Sequence, residues 1–438
     1  MLGDGGSVAA GAGSLLDQFQ VKARGMLGAN EPVLRKESAL GGADDDRLAK
    51  WAWATFLIGG AFGTTLPGQL LLLIATVRQH FERRRKGALE AITDPVFVSL
   101  GWSFLAAALI SAVFSQHRAT ALVVCLGFAL LFFVVVLGTR DAVILFTARD
   151  CRRMLLWILV AAVGCAFNGI YARFGLGYPR AEGFAFGPNS FGGAVAFWAI
   201  IAIGLSLELR RIGWWLFTIP VFLAALALSM SRGSWMGFIA SVVLFSCLLV
   251  MRHKRYVKWA LVVCVGIFAV SALAMAYSSP LRERFVSTFS IERNMDRILV
   301  WQTAVEMIKD RPLTGVGGGV FPLVYQDYRV SARGRSSFSF AHNLPLHILA
   351  EYGVLGFIPF FALIGYTLIR GWRLARQSGP LIMATYSGFI GMLVHELVDN
   401  VIIDMNFGAL FWFLAGFHVH LYRLRVIEAG RESQDLPL

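Results

Sequence analysis

The sequence predicts an all-α, polytopic integral membrane protein. Of its 438 residues, 57% are hydrophobic and only 15% charged, with a mean hydropathy of +0.65, which is more apolar surface than one soluble core can hide. Apolar runs of about 18 residues or more recur along the chain, and each is long enough to cross a hydrocarbon core of roughly 30 Å as a helix. These runs lack the period-2 alternation of a barrel strand, so their backbone amides must be satisfied within helices.

Runs bounded by charge place spans near 51–77, 95–115, 119–138, 154–175, 190–207, 212–230, 234–251, 258–278, 344–369, 380–400 and 405–421. Gly59, Gly60, Gly63, Pro67 and Gly68 interrupt the first run, which is one broken helix or two short ones, and the expected count is eleven or twelve. The chain divides accordingly. Residues 1–50 form a polar segment expected to be disordered, and 51–278 an N-terminal bundle. Residues 279–341 form one large hydrophilic loop, 342–422 the C-terminal helices and 423–438 a cytoplasmic tail. No apolar stretch near the start suggests a cleaved signal peptide.

Orientation follows from the arginines and lysines that border the runs. Arg83 to Lys86, Arg140 with Arg149, Arg210 with Arg211, Arg252 with Lys254, Arg370 with Arg373 and Arg423 with Arg425 all fall on one side by parity, which is the cytoplasmic side. The Arg180 segment, Arg232 and the loop 279–341 fall on the other. The net charge of +13 is therefore topological, and no nucleic-acid partner is expected. The five cysteines have no CxxC spacing, so neither a disulfide framework nor a zinc site is indicated.

Within the large loop, residues 296–309 (DRILVWQTAVEMIK) read as an amphipathic helix with Ile298, Trp301, Val305 and Ile308 on one stripe. It ends at Arg311 and Pro312. Gly315, Gly317, Gly318 and Gly319 then allow a sharp return.

Three segments at the outer face hold polar residues that a solvated loop does not need. YPRAEGFAFGPNSFGG (178–193) brings Arg180, Glu182 and Asn189 to a span entrance. SMSRGSW (229–235) sets Arg232 in a short turn close to membrane depth, where a cation is costly unless it meets water, a counter-charge or a ligand. FSFAHNLPLHILAEYGVLGF (338–357) returns the loop to the membrane with His342 and Asn343 at the entrance and Glu351 inside the apolar run. His342 and His347 are five apart and do not share a helical face well, which argues against a two-histidine metal site. His395 and Asp399, four apart, could share one face near the outer end of the tenth span.

Two guanidinium groups near one leaflet suit bidentate recognition of phosphate or pyrophosphate, and a neighbouring imidazole can take a proton. Arg180 and Arg232 would stabilise a departing pyrophosphate while His342 activates or positions an acceptor hydroxyl. No acidic metal-binding motif appears, so no metal and no other cofactor is expected.

The same segments resemble the signature of the O-antigen ligase and polysaccharide polymerase superfamily of bacterial inner membranes. RAEGFAFGPNSFGG is similar to its arginine-glycine-asparagine segment and SMSRGSW to its second arginine motif. RILVWQTAVEMIKDRPLTGVGGGVF resembles the segment that precedes the end of the major loop, and AHNLPLHILAEYGVLG the histidine motif. The resemblance implies a GT-C-like helical fold and metal-independent transfer of an undecaprenyl-pyrophosphate-linked glycan at the periplasmic face. The acceptor would be lipid A-core in a ligase, or another lipid-linked glycan in a polymerase. Membrane lipids surround both reactions. Carried over, His342, Arg180 and Arg232 form the catalytic set. Arg297, Asn189, Asn343, Glu351, His395 and Asp399 are candidate substrate-binding residues. VHELVDNVIIDMNFGALFWFLAG resembles the ending of exopolysaccharide-type polymerases. A transporter, with Arg180, Arg232 and Glu351 lining a path, is the alternative of another class. The polar residues crowd one face and no repeated half is visible, which weighs against it.

Overall fold

The structure, a computed structural model, describes residues 43–62, 71–72, 74–75, 93–133, 138–146, 148–184, 186–209, 213–252, 254, 257–258, 265–266, 269, 276–287, 290–332, 336–403 and 405–434. Helix dominates these residues, and no strand occurs among them. In chain order the helices are α1 (Ala43–Phe62), α2 (Pro95–Phe114), α3 (Arg118–Leu131), α4 (Gly138–Leu145), α5 (Ala148–Phe174), α6 (Pro188–Leu209), α7 (Thr218–Ser229) and α8 (Arg232–Arg252). The large loop carries α9 (Ser279–Val286), α10 (Ile291–Asp310) and α11 (Phe321–Tyr328). Then come α12 (Leu344–Gln377), α13 (Pro380–His395) and α14 (Met405–Gln434).

Among the described residues α2, residues 150–174 of α5, α6, α8 and α12 are long and apolar enough to cross a bilayer, which makes this a multi-pass membrane protein. α3, α7 and α13 are apolar but shorter. At 1.5 Å per residue they fall below the hydrocarbon thickness. α13, for example, ends at His395 where a span to 400 was expected. Of the expected span near 51–77, residues 63–70, 73, 76 and 77 lie outside the described residues, and with them the question of one helix or two; the expected span near 258–278 lies largely outside them. α1 starts at Ala43, inside the segment expected to be disordered, and α14 runs on to Gln434, through most of the expected tail.

α6 is the central helix. It is buried almost continuously from Ser190 to Ala202 and packs against α5, α7, α8 and α13. Ends are fixed locally. Asp94 caps α2, its Oδ1 accepting from the Val96 and Phe97 amides at 3.1 Å each, with Pro95 in the first turn where a missing N–H costs nothing. Asp94 also accepts from the Tyr366 hydroxyl (2.9 and 2.8 Å) and lies 3.8 Å from Arg370 and 3.9 Å from Arg423. Arginines from two of the basic loops thus meet around one buried carboxylate, which agrees with their grouping on one side by parity.

The large loop has its own core, made of Val300, Ala304, Met307, Val316, Phe321, Val324, Tyr325 and Phe338 together with Ala112 and Ala350. The buried stripe of α10 is Val300, Thr303, Ala304 and Met307, rotated from the expected one, and Val305 is exposed. The small side chains of Thr303 and Ala304 let α10 approach α12 and α11, so packing distance selects this face over the bulkier stripe.

α12 is broken at Gly353 (φ 59°, ψ −167°), a region open essentially to glycine alone. The break releases backbone groups that water cannot satisfy near the bilayer, and the 312–317 segment takes them up. Val316 N donates to Ala350 O (2.9 Å), Gly317 N to Glu351 O (2.9 Å), Val354 N to Pro312 O (2.9 Å) and Leu355 N to Leu313 O (3.2 Å). Gly315, at φ 67°, passes directly against the backbone of Glu351 and Tyr352. The predicted glycine turn is therefore a clasp that fastens the loop to the broken helix.

Candidate functional site

The site lies where the α5–α6 loop, the α7–α8 turn, α9, α10, the start of α12 and the α13–α14 connection meet. Arg180 donates from Nε to Ser229 O (2.7 Å) and from Nη2 to Asn189 Oδ1 (2.6 Å). Asn189, in the first turn of α6, passes the link on through Nδ2 to Asp399 Oδ2. Asp399 Oδ1 lies 2.8 Å from His342 Nδ1 and also accepts from Asn400 N (3.0 Å). Four residues from three segments far apart in sequence thus form one hydrogen-bonded chain, Arg180–Asn189–Asp399–His342.

Asp399 does not share a helical face with His395. α13 has ended, and residues 396–400 turn the carboxylate back toward His342 and Asn189, leaving Asp399 Oδ2 4.0 Å from His395 Nε2. Burial works to raise the Asp399 pKa, but the hydrogen bond and charge of His342, with His395 and Arg297, outweigh it and hold the carboxyl below its usual value. A carboxylate accepting at Nδ1 sets the imidazole tautomer so that Nδ1 carries the proton and Nε2 is left as the base.

His342 is held at φ 52°, a left-handed conformation that costs a residue with a side chain energy. Its neighbours impose it. Leu344 N donates to Glu396 O (2.9 Å), and Asn343 N donates to Asn400 Oδ1 (2.8 Å). Phe338 and Phe340 set their rings at right angles to the imidazole, with centroids 5.8 and 5.7 Å away. The side chain remains 22% exposed, enough to meet a substrate.

Arg232 opens α8 and donates from Nη1 to Ser287 O (3.2 Å). Arg297, on α10, brings its charge beside Arg180, Arg232 and Asp399. A fourth guanidinium, Arg284 on α9, donates from Nε to Met230 O (3.0 Å). Sequence reasoning missed Arg284 because the loop is rich in arginine and no motif or spacing separates one from another. Burial, then the nearby Arg284, lower the Arg180 pKa to about 10, which still leaves it charged at neutral pH. Among the described residues, none of the four is within 4.0 Å of a carboxylate oxygen. Four crowded cations, without an ion-pair partner among the described residues, are arranged as a receptor that can take a polyanion.

Three sequence-predicted residues stand apart from this receptor. Asn343 caps α12, with Oδ1 accepting from Leu346 N (3.0 Å) and Nδ2 donating to Leu397 O (2.9 Å), so its polar groups are occupied. Glu351 is buried beneath the clasp, where Oε1 accepts from Phe321 N (3.2 Å) and Oε2 lies 3.4 Å from His347 Nε2. His395 is 1% exposed and lines a small cavity between α6, α8 and α13 with Gly193, Ser234 and Gly391. Among the described residues, no group of three or more His, Cys, Asp or Glu side chains is arranged to hold a metal ion.

Residues 216–361, about one third of the chain, match the family profile described as O-Antigen ligase. The match includes Arg232, Arg284, Arg297, His342 and Glu351, and it supports the O-antigen ligase and polysaccharide polymerase superfamily, whose members are glycosyltransferase-like enzymes. No curated protein matches the chain significantly.

Proposed function

We propose that this protein transfers a glycan from an undecaprenyl-pyrophosphate carrier to an acceptor hydroxyl, without a metal, at the periplasmic face of a bacterial inner membrane. The observation that carries the reading is the set of arginines without carboxylate partners, wired through Asn189 and Asp399 to His342. Asp399 orients His342, and Nε2 takes the proton of the acceptor hydroxyl as its oxygen attacks the anomeric carbon. The bond from that carbon to the phosphate oxygen breaks. Arg180, Arg232 and Arg297 take up the charge that develops on the leaving diphosphate. A ligase uses lipid A-core as acceptor, in line with the name of the matching family, whereas a polymerase uses a second lipid-linked repeat with the same donor chemistry. Asn343 and Glu351 serve in this reading as supports for His342 and for the loop.

Purified protein in proteoliposomes, supplied with lipid-linked glycan and acceptor, tests the assignment. Arg232→Ala is expected to lower transfer by about 10²-fold, the typical loss of one charge-stabilising donor. Arg232→Lys should recover only part of it, because an ammonium cannot form the two-pronged contact. A folded Arg232→Ala protein that transfers at the normal rate would overturn the reading, as would carrier-lipid movement without a new glycosidic bond. Glycolipids from a strain lacking the protein assign the acceptor: full-length glycan left on the carrier marks a ligase, and accumulated single repeats mark a polymerase.

A further inference from the structure

Arg284 and Arg180 hold consecutive carbonyls at the end of α7, through Met230 O (3.0 Å) and Ser229 O (2.7 Å). Met230 lies at φ 49°, so the chain leaves the helix there and turns its carbonyl outward. Arg232, two residues on, reaches back to Ser287 O (3.2 Å), to which Asn294 Nδ2 also donates (3.3 Å). The α7–α8 turn and the 284–294 segment therefore exchange hydrogen bonds in both directions, and the two guanidinium groups are neighbours.

The bond to Met230 uses one of the five N–H donors of Arg284. Among the described residues its Nη1 and Nη2 make no hydrogen bond or ion pair. Burial lowers its pKa, and repulsion from the charge of Arg297 lowers it further. A clasp on one carbonyl needs a single N–H donor of any kind, and a neutral side chain would supply it without that repulsion. An anion that both arginines share removes the repulsion and uses the idle donors.

We infer that Arg284 is a further anion-binding residue of the donor site, presented by the large loop, whose Nη1 and Nη2 grip the diphosphate beside Arg180 and Arg232. This rests on the proposed glycan transfer and adds to it a second loop arginine, on α9, beside Arg297 of α10.

Inorganic pyrophosphate is the probe. Its inhibition constant, the donor KM and kcat are measured on full-length protein in nanodiscs, together with the thermal midpoint. Arg284→Gln retains a donor for Met230 O but not the charge or the fork. It is expected to weaken pyrophosphate and raise donor KM about 10-fold to 100-fold, with the midpoint unchanged. Arg284→Lys should restore part of the affinity. Unchanged pyrophosphate inhibition in a folded Arg284→Gln protein overturns the inference, as does a loss confined to the thermal midpoint. Nanodiscs of phosphatidylcholine alone, and with phosphatidylglycerol, separate the two phosphate sources. The same shift in both supports the carrier diphosphate, whereas a shift seen only with phosphatidylglycerol assigns Arg284 to a lipid headgroup and overturns it. Failure of the transfer reading itself is distinguishable, because the unsubstituted protein would then form no glycosidic bond, or Arg232→Ala would transfer at the normal rate.

Discussion

His342→Ala is expected to lower kcat by about 10²-fold to 10⁴-fold, the usual contribution of a positioned general base, while pyrophosphate inhibition stays near wild type. The separation follows from the geometry. His342 is bonded to Asp399, which Asn189 and Asn400 also hold, whereas the guanidinium groups are fastened to Ser229, Met230 and Ser287 carbonyls by bonds that do not involve the imidazole. Removing the ring should leave the anion receptor intact. Asp399→Asn provides a companion measurement. An amide that turns its N–H toward Nδ1 favours the opposite tautomer and leaves Nε2 protonated, so turnover should fall with little change in donor KM. Loss of donor binding together with turnover in either folded variant would mean that His342 and Asp399 shape the anion receptor and do not act as base and orienting acid.

Gly353→Ala is expected to abolish accumulation of folded protein. Its Cβ would stand 2.3 Å from both the carbonyl carbon and the oxygen of Leu313, backbone atoms that a side-chain rotation cannot move aside. The dihedral angles add strain on the order of 1–3 kcal/mol. Relief requires the 312–317 segment to withdraw, which strands the amides and carbonyls of residues 350–355 and uncovers the core beneath the loop. Size-exclusion profiles and limited proteolysis of the detergent-solubilised variant read this out. A monodisperse Gly353→Ala protein with wild-type thermal stability would mean that the clasp bears little of the fold.

The membrane architecture was legible in the sequence because it rests on composition and run length, which act over about twenty residues at a time. Finer features depended on distant neighbours. α13 stops at His395 because the chain must swing Asp399 back to His342 and Asn189, and nothing within 380–400 announces that. The buried stripe of α10 differs from the expected one by a small rotation because apolarity favours Ile298 and Val305, whereas close approach to α12 favours Thr303 and Ala304. At the site, Arg180, Asn189, Arg232, His342 and Asp399, which their types and positions near span ends single out, lie together. Arg297, which only the family resemblance supplies, stands beside them on α10. Glu351 was singled out for the same reason, an acid in an apolar run, yet it serves the loop and the broken helix. Arg284 left no trace in the pattern, since its place follows only from which carbonyl it meets.

The Arg180–Asn189–Asp399–His342 chain also limits how the protein can be dissected. Residues 216–361, the recognisable portion, hold the imidazole but neither of the two groups, Asn189 and Asp399, that tie it to Arg180. That portion is therefore not a portable module. Swapping it between related proteins would transplant a base without its orienting acid, and hybrids should function only where the α5–α6 loop and the α13–α14 connection travel with it.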